Sequence, residues 1–340
     1  MADVLHAGFN PTRSGEEFHV PVPWYLVSGF GAHIKATPRV LVVQRNGRTE
    51  EIPLEQVRHL LVMGGHTLHS SVIARLLSAG ACISFFEADG EPLGVLRPFG
   101  DQADEFVHQA QRGAFAHTFA LALARGGAQA RILTAVRLQE EWGGPIFFEG
   151  ELEILEKSLA EMEFMVRLED IRRIHRLITD MYYEIISRTL PPELNFRRRS
   201  PRPRLDVVNT MLSYGYGMLY GNTCVAVIGA DLDPDLGFLH KGKGALVYDL
   251  IDPFKPAMVD RIVLALARKG LSPEAYECGP SRCILSDSLM ERLTESFRAA
   301  ICQGTIDIQV KVLRDALLKK SEFRVCKPGK DLPTPPGGPR

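Results

Sequence analysis

Residues Gly237–Asp260 read GFLHKGKGALVYDLIDPFKPAMVD, and the rest of the chain is arranged around this stretch. It contains His240 and two aspartates three positions apart, Asp249 and Asp252. The apolar spacing of Ala245–Asp252 predicts the end of a helix, on which positions three apart are neighbours. One imidazole and two carboxylates on a single wall predict a seat for Mg²⁺ or Mn²⁺. The same residues also suit a solvated helix face with surface ion pairs.

The composition sets limits on the class of protein. A chain of 340 residues, 45% of them hydrophobic, predicts one or two domains with a proper core. The net charge of −1 means that nucleic-acid binding would have to come from local basic patches. No apolar run reaches the ~18 residues of a membrane span, and the N-terminus does not resemble a signal peptide. Six cysteines without a CxxC motif predict neither a zinc ribbon nor a disulfide framework, and a cytoplasmic location fits best.

The first hundred residues predict a β-rich domain, which we place at 1–100. Short runs of β-branched residues alternate with the turn pairs Asn46-Gly47 and Asp89-Gly90, both typical of hairpins. One helix is predicted at His69–Ser78, where Gly80 follows as a stop signal. The fold class is therefore α+β, with this domain preceding a larger helical one.

Residues 101–326 predict an all-α domain, and the Pro- and Gly-rich residues 327–340 predict a disordered tail. The pair Gly126-Gly127 is a possible interruption of the first long helix. The predicted helices are Phe106–Leu138, Leu152–Met165, Leu168–Leu190, Val207–Tyr220, Met258–Arg268, Asp287–Ile301 and Ile308–Ser321.

A basic segment lies between two of these helices. Phe196–Arg204 reads FRRRSPRPR, and its prolines exclude a helix interior. A solvated loop is one interpretation. The other is a loop that binds phosphate through Arg197, Arg198 and Arg199, because arginine suits bidentate phosphate contacts.

Several blocks of the chain resemble the CRISPR-associated integrase family, the spacer-acquisition endonuclease shared by most CRISPR systems. The central block is Asn209–Tyr220, NTMLSYGYGMLY. It follows FRRRSPRPRLDVV and precedes GADLDPDLGFLH and DLIDPFKPAMVD, in the order of the family. The segments SSVIARLLSAG and ISFFEADGEPLGVL resemble the family's N-terminal β domain. The resemblance covers roughly residues 23–320 and implies a β domain joined to a larger all-α domain.

The resemblance also implies an activity and partners. Family members bind Mn²⁺ or Mg²⁺ through a glutamate, a histidine and an acidic residue. They join the 3′-OH ends of a short double-stranded DNA to a CRISPR repeat by transesterification at phosphorus, where a metal stabilises charge on the phosphate. They work as homodimers, for which we expect the β domain to carry the contact, bridged by a small ferredoxin-like partner protein.

Most of the family's site residues have a counterpart here. The family histidine matches His240, and the last acid matches Asp252, with Asp249 as a nearby second acid; the spacing between them is slightly shorter than in many members. We expect a basic DNA path on the same face, formed by Arg197, Arg198, Arg199, Lys241, Lys243 and Lys255.

The family glutamate is the exception. The frame that Ile174 and Tyr182 define places His175 at its position, and no nearby acid fits that frame. The first hypothesis is an active integrase with a metal site formed by His175, His240 and an aspartate, which suits Mn²⁺ better than Mg²⁺. The second is a member that has lost catalysis and serves as a DNA-binding or structural subunit. The third is a metal-independent nucleic-acid-binding protein that uses the arginine loop. His175 is also compatible with an ordinary core or surface histidine.

Overall fold

The N-terminal part of the chain forms two four-stranded sheets. The computed structural model describes residues 22–101, 103–200 and 203–325. One sheet has the strand order β1-β5-β7-β8 and the other β4-β3-β2-β6. The elements are β1 Trp24–Ser28, β2 His33–Ala36, β3 Val40–Arg45, β4 Arg48–Pro53, β5 His59–Met63, β6 Thr67–Leu68, α1 Ser70–Ser78, β7 Cys82–Phe86 and β8 Pro92–Leu96.

The two predicted hairpin turns are confirmed. Asn46 and Gly47 both have positive φ, 50° and 74°, and connect the antiparallel strands β3 and β4. Asp89-Gly90 connects β7 to β8, and Gly90 has a φ of 91°. The strands β1, β5 and β7 run parallel, and consecutive residues of β5 and β7 are buried, as expected for a parallel sheet that is covered on both faces. Helix α1 buries Val72 and Leu76 in the core of this domain.

The rest of the chain is mainly helical, so the predicted fold class is confirmed. The long helices α3, α5 and α6 supply much of the core. A π-turn at Pro256–Asp260 leads directly into α8. The helices are α2 Ala103–Arg112, α3 Ala116–Trp142, α4 Glu151–Glu161, α5 Leu168–Ser187, α6 Val207–Gly229, α7 Ala245–Ile251, α8 Arg261–Arg268, α9 Asp287–Ala300 and α10 Gln303–Lys319.

Four details differ from the sequence predictions. The single helix predicted at Phe106–Leu138 is two helices, α2 and α3, which are separated at Gly113. Gly126-Gly127 does not interrupt α3. Both glycines lie buried at close contacts where a side chain would clash, so they serve the packing of the helix. Helix α6 extends to Gly229, because its last turns are apolar and fully packed. The second part of the chain also contains a hairpin, formed by β9 Tyr276–Cys278 and β10 Cys283–Leu285.

The hairpin pairs two of the cysteines, although no disulfide was predicted. Its short turn places Cys278 opposite Cys283 in the strand register, with a Cα–Cα distance of 3.9 Å, and the two form a disulfide. The sequence spacing of Cys278 and Cys283 did not predict the bond, because it matches no cysteine motif and depends on the hairpin turn to bring the two residues together. The predicted tail, 327–340, lies outside the described residues. Among the helices of the described ranges, none combines the length and apolar character of a membrane span.

The β domain contacts α6 at two glycines. The Asp89-Gly90 turn lies on the helix at Gly221, where a Cβ atom would stand 1.7 Å from the carbonyl oxygen of Asp89. Backbone therefore touches backbone at this point, and neither side can yield as a flexible side chain would. The contact fixes the β domain against the helix that carries the central sequence block.

We expect Gly221→Ala to destabilise the protein by about 1–3 kcal/mol, because it forces the turn away from the helix. Gly217→Ala is the matched control on the same helix, since a Cβ there meets nothing within 4 Å. The control should gain roughly 0.5–1 kcal/mol from the removal of a helical glycine. Urea unfolding of both variants measures the difference, and equal effects would show that the contact is not tight.

Candidate active site

Asp249 is a buried carboxylate held by the backbone that precedes its own helix. Its Oδ2 accepts hydrogen bonds from the amides of Phe238 and Leu239, at 2.6 and 3.0 Å. Its Oδ1 accepts from the amide of His240 at 2.7 Å. The side chain of Asp249 is 0% exposed. The backbone segment before α7 therefore surrounds this carboxylate, and its three hydrogen bonds hold the Asp249 side chain in place.

The same carboxylate orients His240. The imidazole Nδ1 lies 2.7 Å from Oδ1 of Asp249. Because an ionised carboxylate only accepts, Nδ1 carries the proton and Nε2 is left with a free lone pair. The side chain of His240 is 38% exposed, whereas those of His175 and Asp252 are 11% and 2% exposed, so His240 is the member of the cluster that is open to solvent. The pair can accept a proton at Nε2, with Asp249 stabilising the resulting positive charge.

Asp252 is the second buried carboxylate and is surrounded by positive charge. Arg131 donates from Nη2 to Oδ1 at 2.7 Å and from Nη1 to Oδ2 at 2.8 Å. Lys255 donates to Oδ1 at 3.1 Å. His175 Nε2 lies 2.7 Å from Oδ2. Each carboxylate oxygen thus has two donors.

These neighbours set the ionisation of Asp252. Burial alone would raise its pKa, but Arg131, Lys255 and His175 together hold the pKa well below its usual value. The carboxylate is therefore charged at neutral pH. Nε2 of His175 must then carry a proton that it donates to Oδ2.

Arg131 was not among the predicted site residues. It lies on α3 with 2% of its side chain exposed, and 121 residues separate it from Asp252 in the chain. Gly127, one turn earlier, provides its space, because a Cβ there would stand 2.2 Å from Oδ2 of Asp252. The available signal was an arginine within an apolar, alanine-rich helix, which is rarely buried without a partner.

His175 lies where the frame around it placed it, on the inner side of α5. It is 9% exposed, and its ring centroid is 6.4 Å from that of His240. The structure therefore brings His175, His240, Asp249 and Asp252 into one cluster. The four residues expected to be metal ligands are therefore close together in the folded chain.

As arranged, this cluster does not fit a divalent cation. A carboxylate offers about four lone-pair directions, and in Asp252 all are directed at donors. His175 cannot offer Nε2 as a ligand while that atom donates a proton. Asp249 is likewise committed to its backbone donors and His240. Across the ranges that the structure describes, no three His, Cys, Asp or Glu side chains are grouped so as to hold a metal ion.

The predicted DNA-binding residues fall into two sets. Arg197, Arg198 and Lys241 are exposed, and Lys243 is exposed beside Glu91 at 3.5 Å. Arg199 instead turns inward and donates to Asn209 and to the hydroxyl of Ser213.

Lys255 also faces inward, with 15% of its side chain exposed. Its Nζ lies 5.4 Å from the centroid of the Tyr216 ring, and the guanidinium of Arg199 lies 5.1 Å from the same centroid. Tyr216 thus connects the arginine loop to the buried cluster.

A tyrosine network supports this connection and was not predicted. Asp260 accepts hydrogen bonds from Tyr216 at 2.5 Å and from Tyr182 at 2.9 Å, and Tyr183 contacts Tyr216. Burial raises the pKa of Asp260, although the tyrosine hydrogen bonds and Arg131 oppose the rise. The network fixes the position of Tyr216 between Arg199 and Lys255.

Comparison with known proteins identifies the family. The family model for CRISPR associated protein Cas1 matches residues 25–299. A putative CRISPR-associated endonuclease Cas1 of Methanospirillum hungatei is 41% identical over 303 residues, covering 89% of this chain and 100% of that protein. A CRISPR-associated endonuclease Cas1 of Thermus thermophilus is 29% identical, covering 86% of this chain and 95% of that protein.

Solved structures show the same fold. A partial Cas6-RT-Cas1–Cas2 complex contains a chain with a TM-score of 0.73 at 19% identity, covering 89% of this chain and 98% of that chain. A casposase bound to an integration product has a TM-score of 0.72 at 18% identity, covering 88% and 96%. The order of the sequence blocks, the two-part fold and the matched family model lead to one conclusion: this chain belongs to the Cas1 family of CRISPR-associated proteins.

Proposed function

We propose that this protein acts in CRISPR adaptation as a DNA-binding Cas1-type subunit that does not join DNA strands with a divalent metal. The relatives' names support the wider role, since they are called CRISPR-associated endonucleases and one structural neighbour is bound to an integration product. The observation that carries the narrower statement is the state of Asp252, whose carboxylate is fully engaged by Arg131, Lys255 and His175.

DNA would bind along the exposed cations next to the site. Arg197 and Arg198 stand on the surface, and no ion pair engages them in the described part of the chain. Arginine without a protein partner is ready for phosphate, and its planar fork suits bidentate contact. Arg199 positions the loop by its bonds to Asn209 on α6. The loop therefore offers two free guanidinium groups on a fixed support.

One observation favours the alternative, an active integrase. His240 has a free Nε2 and a ring centroid 6.4 Å from that of His175, which is close enough for both imidazoles to reach one ion after a modest rotation. In that case Mn²⁺ would be held by His240, His175 and Asp252, with Mg²⁺ a poorer choice for two nitrogen ligands. This requires the bond between His175 and Asp252 to open.

The expected assembly is a homodimer together with a small Cas2-type partner. One structural neighbour is part of a Cas1–Cas2 complex, which supports that partner. The edge strand β8 supports the dimer, because it is exposed along its whole length and carries Leu93 and Val95 at 63% and 43% exposure. An exposed apolar edge strand is a surface that native proteins cover.

The DNA proposal predicts a charge-specific loss of binding. We expect Arg197→Ser/Arg198→Ser to weaken binding of all duplex sequences alike and to reduce the salt slope of log K by about 2, one unit for each lost phosphate contact. Arg39→Ser/Arg48→Ser removes the same charge from exposed positions of the β3–β4 region and should leave the slope unchanged. Fluorescence anisotropy across a salt series measures both, and equal slopes in the two variants would exclude the arginine loop.

The catalytic part of the proposal is tested by strand joining. We mix the protein with a Cas2-type partner, a duplex with 3′-OH ends, DNA carrying a CRISPR repeat and either Mg²⁺ or Mn²⁺. We expect DNA to bind equally well with EDTA and no joined product to form. A relative that joins DNA under the same conditions serves as the positive control. Product that requires Mn²⁺ and disappears in His240→Ala would establish the active alternative instead.

The dimer proposal predicts that a charge on β8 separates the subunits. We expect Leu93→Lys/Val95→Lys to shift the protein towards monomer, since two lysines on the strand would repel their copies at a shared edge. Ile154→Lys on α4 is the control, because Ile154 is similarly exposed, at 49%, but lies outside the β domain. Light scattering after size exclusion gives the mass, and an unchanged dimer in the first variant would place the contact elsewhere.

A further inference from the structure

We infer that Arg131 takes the place of a divalent cation in this site, as the permanent counterion of Asp252. The inference deepens the proposed function and rests on it only for its consequence, that DNA binding needs no metal. It gives a role to an arginine that lies on neither the arginine loop nor the exposed basic face.

The first argument is the geometry of the pair. The guanidinium of Arg131 contacts both oxygens of Asp252, at 2.7 and 2.8 Å, with each side chain 2% exposed. This bidentate arrangement, with two parallel N–H···O bonds, is the strong geometry of an arginine–carboxylate ion pair. The guanidinium lies beside the carboxylate of Asp252, which is the last acid to which the resemblance assigns a metal ion.

The second argument is the space around the guanidinium. Gly127 lies one turn before Arg131 on α3, and a Cβ at this glycine would stand 3.0 Å from Nη1 of Arg131 and 2.2 Å from Oδ2 of Asp252. Any other residue would displace the pair. The ion pair between Arg131 and Asp252 thus depends on the absence of a side chain at position 127.

The third argument is the unpaired nitrogen. Nε of Arg131 is buried and has no hydrogen-bond partner in the described residues. The guanidinium therefore gives up one hydrogen bond so that both terminal nitrogens face Asp252. That compromise is expected if neutralising this carboxylate is the main role of the arginine.

The substitution of the family glutamate agrees with this role. A carboxylate at position 175 would bring a second negative charge next to Asp252, whereas the imidazole of His175 donates to Asp252 and adds no negative charge. Arg131, Gly127 and His175 are thus mutually consistent. All three favour an arginine-filled site and disfavour a metal-filled one.

The test measures Mn²⁺ binding without DNA, so that its outcome is separate from that of the proposed function. Free Mn²⁺ is followed by electron paramagnetic resonance in titrations of the full chain. We expect no saturable binding to the wild type. The variant Arg131→Gln/His175→Glu removes the guanidinium from Asp252 and adds a carboxylate, and it should bind Mn²⁺ at least ~10-fold more tightly than His175→Glu alone.

Two results would overturn the inference. The first is wild-type Mn²⁺ binding that His240→Ala removes, since the site would then hold the ion despite Arg131. The second is equal binding by His175→Glu with and without Arg131→Gln, since the lost glutamate alone would then explain the metal-free site. Arg125→Gln is the matched control on α3, because Arg125 pairs with the exposed Glu163 and should not affect Mn²⁺ binding.

A second comparison, of thermal stability, keeps the inference testable if Arg131→Gln is too unstable for the titration. Arg131→Gln/Asp252→Asn removes both members of the buried pair and should have a higher Tm than Arg131→Gln, because no buried carboxylate is then left without its guanidinium; Lys255 loses its partner in the double variant, so the recovery is partial. A double variant as unstable as the single one would show that Arg131 supports the fold in another way, and the counterion role would be wrong.

Discussion

The charge of Asp252 is the constraint on which the centre of this protein depends. A carboxylate with 2% of its side chain exposed must be neutralised, because removing one partner of a buried ion pair costs about 3–5 kcal/mol. Its partners come from three places, with Arg131 on α3, His175 on α5 and Lys255 just after α7. The charge requirement and the packing of these helices are therefore satisfied together, and a change in either disturbs the other.

The two aspartates of the site are stabilised by different means. Asp249 is held by three backbone amides, so its position follows from the path of the chain between Phe238 and His240. Asp252 is held by side chains only, so its chemistry changes when Arg131 or His175 changes. The His240–Asp249 pair is consequently a property of the fold. The surroundings of Asp252 are a property of this particular sequence, and they distinguish a metal-binding site from an arginine-filled one.

The sequence predicted what local rules determine. The Asn46-Gly47 turn could be predicted because both residue types tolerate the positive φ that the turn requires. The position of His175 could be predicted from the helical spacing of a few neighbouring residues. Arg131 could not be placed in this way, because 121 residues separate it from Asp252 and only the packing of α3 against α7 brings them together. The same limit applies to Arg199, which looked like a free phosphate ligand and instead holds Asn209. The sequence shows where a charged residue stands in the chain, but it does not show which distant residue will pair with it.

Charge balance links the arginine-filled site to DNA. Two carboxylates and a neutral imidazole without their ion would be negatively charged and would repel a phosphate backbone until a metal arrived. Here two cations, Arg131 and Lys255, surround the single carboxylate of Asp252, while Asp249 lies fully buried behind His240. The two positive charges of Arg131 and Lys255 therefore outnumber the single negative charge of Asp252 without a metal. In the proposed role of a DNA-binding subunit, such a site would accept DNA without first binding an ion.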